Sequence, residues 1–144
     1  MKIFAENKRA LFDYEVLEKY EAGVKLYGFE VKAVKTGHID LIGSYVTIRN
    51  GEVFLLNAFI PPYQPKNVPA SYEPRRTRKL LLKSSEIKGL AGKSKGLTMV
   101  PIRVYTKDHG KLKIEFALAR SRKKYDKREL IRKREAAKEM HLFR

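Results

Sequence analysis

No cysteine occurs among the 144 residues, so disulfide staples and thiolate metal sites are excluded and an export route has no positive support. Long apolar runs are equally scarce. None exceeds four residues, Val53 to Leu56 being one, which leaves nothing to span a bilayer. The opening MKIFAENKRA lacks the apolar stretch of a secretory signal, and the cytoplasm is the expected compartment. Acids are few as well. Against 16 Asp and Glu stand 32 Lys and Arg, a net charge of +16, and a field of that size calls for a polyanionic partner. The 43% apolar fraction still suffices for one modest core.

Catalytic patterns are missing too. His38, His109 and His141 sit in no ligand or triad spacing. Asp13, Glu15, Glu18 and Glu21 form the one carboxylate cluster that a metal-dependent nuclease could exploit, but Lys19 and Lys25 lie among them, as on a solvated strand face. GLAGKSKG has glycines, Lys and Ser without the spacing of a phosphate-binding loop. The chain therefore reads as a binding protein, not an enzyme, with no cofactor or metal expected.

What is there is a series of strand and turn signals. In SYVTIRNGEVFLL, Asn50-Gly51 can supply the two positive φ angles of a type I′ turn. That register sets Arg49 opposite Glu52 and pairs Val46 and Ile48 with Leu55 and Val53 on an apolar face. A second hairpin is readable in PIRVYTKDHGKLKIEFAL, where Leu112, Ile114, Phe116 and Leu118 alternate with Lys113, Glu115 and Ala117. FDYEVLEKYEAGVKLYG reads as one long strand, or two joined by a bulge at Gly23. A short helix is expected over Phe29 to Lys35, stopped by Gly37, and another after Ser84 or Ser85 as N-cap, with Ile87 and Leu90 inward. Five of the six prolines fall between Pro61 and Pro74, a broken stretch with the character of a binding loop. The expected fold is mainly β: a small closed or partly open antiparallel barrel of the oligonucleotide-binding type, with a sandwich as the alternative.

Three basic clusters are candidates for phosphate contact. The first is Asn7-Lys8-Arg9, whose bland alternative is a solvated arm. The second is EPRRTRKLLLK, with Arg75, Arg76, Arg78, Lys79 and Lys83. The third is RSRKKYDKRELIRKREAAKEM. Residues 120–144 hold eleven Lys or Arg against four acids, a net +7. Like charge of that density invites an anionic sheath, and Leu130, Ala137 and Met140 leave only a thin apolar stripe. The expected organisation is thus an RNA-binding barrel over 1–119 and a basic tail over 120–144, flexible when free. No helix-turn-helix, zinc finger or basic zipper is present, which favours RNA over duplex DNA.

Taken in order, Asn7-Lys8-Arg9-Ala10, YEAGVKLYGFEVKAVKTGHIDLIGSY, EPRRTRKLLL, GLTMVPIRVY and Tyr125-Asp126-Lys127-Arg128 resemble the small protein B family, the SsrA-binding proteins of bacterial trans-translation, over nearly the whole chain. The resemblance implies a six-stranded barrel with three helices that binds the tRNA-like domain of transfer-messenger RNA and escorts it to stalled ribosomes. No catalytic site is implied, and a free monomer is expected. Asn7, Glu21 and Leu81 fall at positions that contact the RNA in the family. An acid such as Glu21 can serve there by accepting hydrogen bonds from base edges or riboses. The tail match implies that Asp126, Lys127 and Arg128 begin a helix in the messenger channel of the small subunit, near the decoding region. Lys123, Tyr125, Arg132, Lys133 and Arg134 belong to the same ribosome-binding tail. Two departures stand out: Ser121-Arg122-Lys123 replaces the usual Gly-Lys-Lys, and Ser71-Tyr72-Glu73-Pro74 replaces Asn-His-acid-Pro. A structural ribosomal protein is the rival reading from another class.

Overall fold

The computed structural model describes residues 1–63, 66 and 68–142, with backbone alone for 124–126 and 139–142. Its elements run β1 (Lys2–Glu6), α1 (Lys8–Asp13), β2 (Tyr14–Val24), α2 (Gly28–Lys35), β3 (Tyr45–Arg49), β4 (Glu52–Leu56), β5 (Arg78–Leu81), α3 (Ser84–Lys93), β6 (Thr98–Lys107), β7 (Lys111–Ser121) and α4 (Lys124–Leu142). Every strand pairing is antiparallel, and β6-β3-β4-β5-β2-β7 closes on itself through β6 and β7. Closure removes the exposed sheet edges that an open sheet would leave. Six strands make the ring, as the resemblance implies. The seventh, β1, pairs with the last part of β6, at Arg103–Thr106, after β3 has met it at Met99.

The two hairpins form in the registers that their turns dictate. Arg49 faces Glu52, Val46 faces Leu55 and Ile48 faces Val53, with Asn50 at φ 51 and Gly51 at φ 73. The β6–β7 turn runs through three consecutive left-handed residues, Asp108, His109 and Gly110. Inward alternation then buries Ile114, Phe116 and Leu118 against Val53, Leu55, Leu80 and Val104, while Leu90 of α3 and Val34 of α2 plug the barrel. Enclosing a side chain such as Phe116 contributes about 1.5–3 kcal/mol. Tyr20 stacks on that ring at 5.5 Å.

Outside the barrel, Ala10 of α1 seats on Val100, Ile102, Ala117 and Ala119. The alanines on β7 let the helix approach closely.

Three local expectations are corrected. The bulge of β2 lies at Leu17, where the register against β7 shifts between Val16 and Glu18, and not at Gly23. Gly23 instead pairs on both sides, with Lys113 of β7 and Leu81 of β5. The N-cap of α3 is Lys83 rather than a serine, because the Glu86 carboxylate accepts the Lys83 backbone N–H at 3.1 Å. The solvated arm offered as the alternative for Asn7-Lys8-Arg9 does not form: Asn7 caps α1, and Lys8 and Arg9 belong to that helix. Among the described residues no helix is long and apolar enough to cross a membrane.

Candidate nucleic-acid interface

Because β2 passes between β7 and β5 at Gly23, the outward side chains of three strands converge around a residue with no side chain. Two adjoining clefts, about 470 and 600 Å³, share Gly23, Leu81 and Lys113. Lys19, Glu21 and Lys83 line one, and Lys111 lines the other. Leu81 is an unpaired apolar surface here, 52% exposed, and a Cβ built on Gly23 would stand 3.4 Å from the Leu81 Cβ. Four ammonium groups, one exposed leucine and two carboxylates, Glu21 and Glu86, thus share a shallow groove. Phosphates, a base or ribose edge and an apolar stacking contact can all be met there.

Glu21 is held in place from behind. It accepts the Tyr105 hydroxyl hydrogen bond, and Lys107 lies 3.4 Å away. The Tyr105 bond, with Lys107 and Lys113, outweighs partial burial and keeps the carboxyl below its usual range. Burial, with Glu21 adding to it, pushes the Tyr105 phenol up. Glu21 is therefore an anchored acceptor inside a cationic frame. Of the three positions that the family match assigns to RNA, the structure brings Glu21 and Leu81 together. Lys111 and Lys113 were missed in the sequence, although Lys113 sits on the outward parity of a readable strand.

Asn7 does not join this groove. It is 4% exposed. Its Oδ1 accepts the Ala10 N–H at 3.1 Å as the N-cap of α1, and its Nδ2 donates to the carbonyls of Leu41 and Pro101 at 3.2 and 3.1 Å. Asn7 is thus a tether that fixes α1 to the barrel. Lys8 and Arg9 beside it are exposed, Arg9 pairing with Asp13 at 3.0 Å.

The second basic cluster divides. Arg78, expected to face phosphate, is wholly enclosed: its guanidinium meets the buried Glu30 carboxylate at 2.7 Å and donates to Ala58, Arg76 and Pro74 carbonyls. A group with no exposed surface cannot neutralise an external anion, so Arg78 is corrected to an interior role. Arg76 also bonds Glu30 and lies over the Tyr27 ring at 4.0 Å. Arg75 remains exposed, over Phe59, and Lys79 pairs with Glu52 at 3.1 Å.

The tail forms α4 and meets α1 through cations instead of an apolar stripe. Lys127 pairs with Asp13 at 3.1 Å, and Lys127 and Arg134 approach the Phe12 ring at 5.8 and 5.9 Å. Burial raises the Asp13 carboxyl, but bonds and charge from Lys127 and Arg9 outweigh it and hold the group low. The Arg122 N–H donates to the Asp13 carbonyl at 2.8 Å, tying down the junction as well. Arg128 and Lys133 are exposed on α4, as is Arg132, which pairs with Glu129 at 2.7 Å. Lys123, just before the helix, is exposed and takes part in an interaction of its own. The side chains of Tyr125 and Asp126 lie outside the described residues, as does that of His141.

The carboxylates of the Asp13 to Glu21 cluster do not converge. Glu15 pairs with Arg120, Glu18 with Lys93, Glu21 with Lys107 and Asp13 with Arg9 and Lys127. Among the described residues no three acids or histidines gather in metal-binding geometry.

Comparison with known proteins agrees in extent with this layout. The family profile described as SmpB protein matches residues 4–143. An SsrA-binding protein of Thermosipho africanus is 47% identical over 145 residues, covering 99% of this chain and 97% of the relative. One from Carboxydothermus hydrogenoformans is 49% identical over 141 residues, covering 96% and 93%. A solved structure described as "tmRNA-SmpB: a journey to the center of the bacterial ribosome" superposes with a TM-score of 0.68 at 43% identity, covering 89% of this chain and 94% of that one. With a match across nearly its whole length and relatives at this identity, the chain belongs to the SmpB protein family.

Proposed function

We propose that this protein binds the tRNA-like domain of transfer-messenger RNA through the Gly23 groove and delivers it to stalled ribosomes, acting in the cytoplasm as a monomeric carrier without catalysis of its own. The observation that carries the reading is the meeting of Glu21 and Leu81. They are 60 positions apart in the sequence, yet line one lysine-framed cleft on a chain of this family. Lysines supply phosphate contacts that fix register, and Glu21 and Leu81 supply directed recognition.

The basic tail is the second working part. Nineteen helical residues extend about 28 Å at 1.5 Å each. Lys123, Lys127, Arg128, Arg132, Lys133 and Arg134 would line a rod that enters the messenger channel near the decoding region, with Tyr125 and Asp126 at its start. Barrel and tail thus divide the labour between the carried RNA and the ribosome.

The test is a filter-binding titration with the tRNA-like fragment. Glu21→Ala and Leu81→Ala should each weaken binding about tenfold or more, the first although it removes a negative charge. Tighter binding by Glu21→Ala would mean that the groove attracts RNA only by bulk charge, and unchanged binding by both variants would move the site elsewhere. Sequencing of RNA recovered with the protein separates a transfer-messenger RNA carrier from a structural ribosomal protein.

A further inference from the structure

On the α2 side, the barrel carries an open cleft of about 520 Å³ that the proposed function does not use. Tyr27, Phe29, Tyr72, Glu73 and Arg76 are among the residues that line it. Phe29 and Tyr72 meet edge to face at 4.8 Å, and Phe29 lies 5.6 Å from Tyr27. Tyr27 is 54% exposed, although a large ring ordinarily hides more of its surface.

One buried carboxylate builds these walls. Glu30 has no exposed surface, and its oxygens accept the Tyr27 backbone N–H at 2.9 Å, the Tyr72 hydroxyl at 2.9 Å and the Arg76 guanidinium. Three lining residues from two segments of the chain, Tyr27 before α2 and Tyr72 and Arg76 before β5, are thereby set against one interior anion. A cleft assembled this way is pre-organised: its rings are placed before any ligand arrives.

Glu73 supplies direction. Its Oε1 accepts the Arg75 backbone N–H at 3.1 Å, and its second oxygen has no partner among the described residues. Flat rings beside a cationic guanidinium suit a nucleobase, since every base offers a π face. A carboxylate then chooses among bases. Guanine presents two adjacent donors, N1–H and the N2 amino group, to the two oxygens. Adenine and cytosine set an acceptor next to their donor, and uracil has a single N–H between two carbonyls.

We infer that the Tyr27–Phe29–Tyr72 cleft binds an unpaired guanine of RNA, with the base against the rings and its Watson–Crick edge on Glu73. The site is separate from the Gly23 groove and shares no lining residue with it.

The probes are fluorescein-labelled UUGUU and UUAUU, titrated into the full-length chain by anisotropy. Wild type should prefer the guanine oligomer by about tenfold, the discrimination of one bidentate contact. Glu73→Gln should erase the preference, and Tyr27→Ala should weaken binding of both oligomers. Both residues lie at the surface, so circular dichroism spectra should match wild type. Leu81→Ala should leave the guanine-to-adenine ratio unaltered while lowering affinity for the tRNA-like fragment, so failure of one site is distinguishable from failure of the other. Equal affinity for the two oligomers, a preference that survives Glu73→Gln, or indifference to Tyr27→Ala would each overturn the assignment. So would displacement of the oligomers by a proline-rich peptide binding more tightly, since aromatic grooves also take such chains.

Discussion

The Arg78 guanidinium lies 2.7 Å from the Glu30 carboxylate, and both side chains are wholly enclosed. Taking two charges out of water is costly, and the loss is offset only because each hydrogen-bonding group of the pair is used. Arg78 serves three carbonyls and the Tyr72 hydroxyl besides Glu30. Arg78→Ala would leave a buried anion short of a partner, and should lower unfolding free energy by about 3–5 kcal/mol. Arg78→Lys should recover little of it, because one ammonium cannot span those acceptors. Urea denaturation followed by circular dichroism measures both, and near-wild-type stability of Arg78→Ala would show that the pair is dispensable.

The same node fixes a pH dependence. Burial by itself raises the Glu30 carboxyl, but bonds from Arg76 and the Tyr27 backbone, with the Arg78 charge, outweigh it and hold the group below the usual range. A folded value below the unfolded one means that the folded state binds fewer protons. This stabilisation is therefore present above the ordinary value near 4.5 and is lost as pH falls through the lowered one. Asp13, Glu18 and Glu21 are shifted in the same direction and add to it. Urea midpoints should hold from neutral pH to about 5 and fall below it, and Glu30→Gln, weaker at pH 7, should show a shallower fall. A midpoint that rises on acidification would contradict the assignment.

Local signals were legible where one interaction decides the outcome. The Asn50-Gly51 turn set the β3–β4 register to the residue, because shifting it by one would turn Val46, Val53 and Leu55 to solvent. The groove was legible only in part. Glu21 and Leu81 could be matched to a family pattern, but their meeting depends on β2 pairing with both β5 and β7 around Gly23, a non-local fact. Arg78 was misread because a cation in a basic run looks the same whether it meets phosphate or a buried carboxylate from α2, 48 positions away. The capping role of Asn7 was not legible either: a six-residue helix has too few turns to show periodicity, which hid the cap before it.

Gly23 should tolerate alanine better than valine. A Cβ there would sit 3.4 Å from the Leu81 Cβ and 3.5 Å from its Cδ1, ordinary van der Waals contact that an alanine can make. Branching adds atoms that would displace Leu81 and fill the groove. Gly23→Val is expected to bind the tRNA-like fragment about tenfold or more weakly, as a lost stacking and packing contact would, while the thermal midpoint moves by only a few degrees. If affinity is unchanged, RNA does not enter between β2 and β5.

Binding should weaken steeply with salt, since each phosphate that a lysine neutralises releases counterions. Plots of log affinity against log salt should be linear, with a slope of about 0.7 to 0.9 for every phosphate contacted. Lys113→Gln, at the centre of the groove, should lower the slope by about one such increment. A flat plot for wild type would remove the electrostatic part of the interface.

Deletion from Arg122 onward separates the two working parts. The cut falls after Ser121, the last residue of β7, so every strand pairing of the ring is retained. It removes one backbone bond from Arg122 to Asp13, the Lys127–Asp13 ion pair and the Lys127 and Arg134 contacts on Phe12, all on the outer surface of α1. Exposed ion pairs and cation–π contacts contribute about 0.2 to 1 kcal/mol each, too little to unfold a barrel whose core they do not touch. The truncated chain should therefore keep its urea midpoint and bind the tRNA-like fragment within about twofold of wild type, because the Gly23 groove contains no residue beyond Lys113. Peptide tagging on stalled ribosomes in a reconstituted translation system should nevertheless be lost, since the cations proposed to enter the messenger channel are gone. Normal tagging by the truncated chain would refute the role of the tail. An equal loss of RNA affinity would place α4 on the primary RNA surface instead.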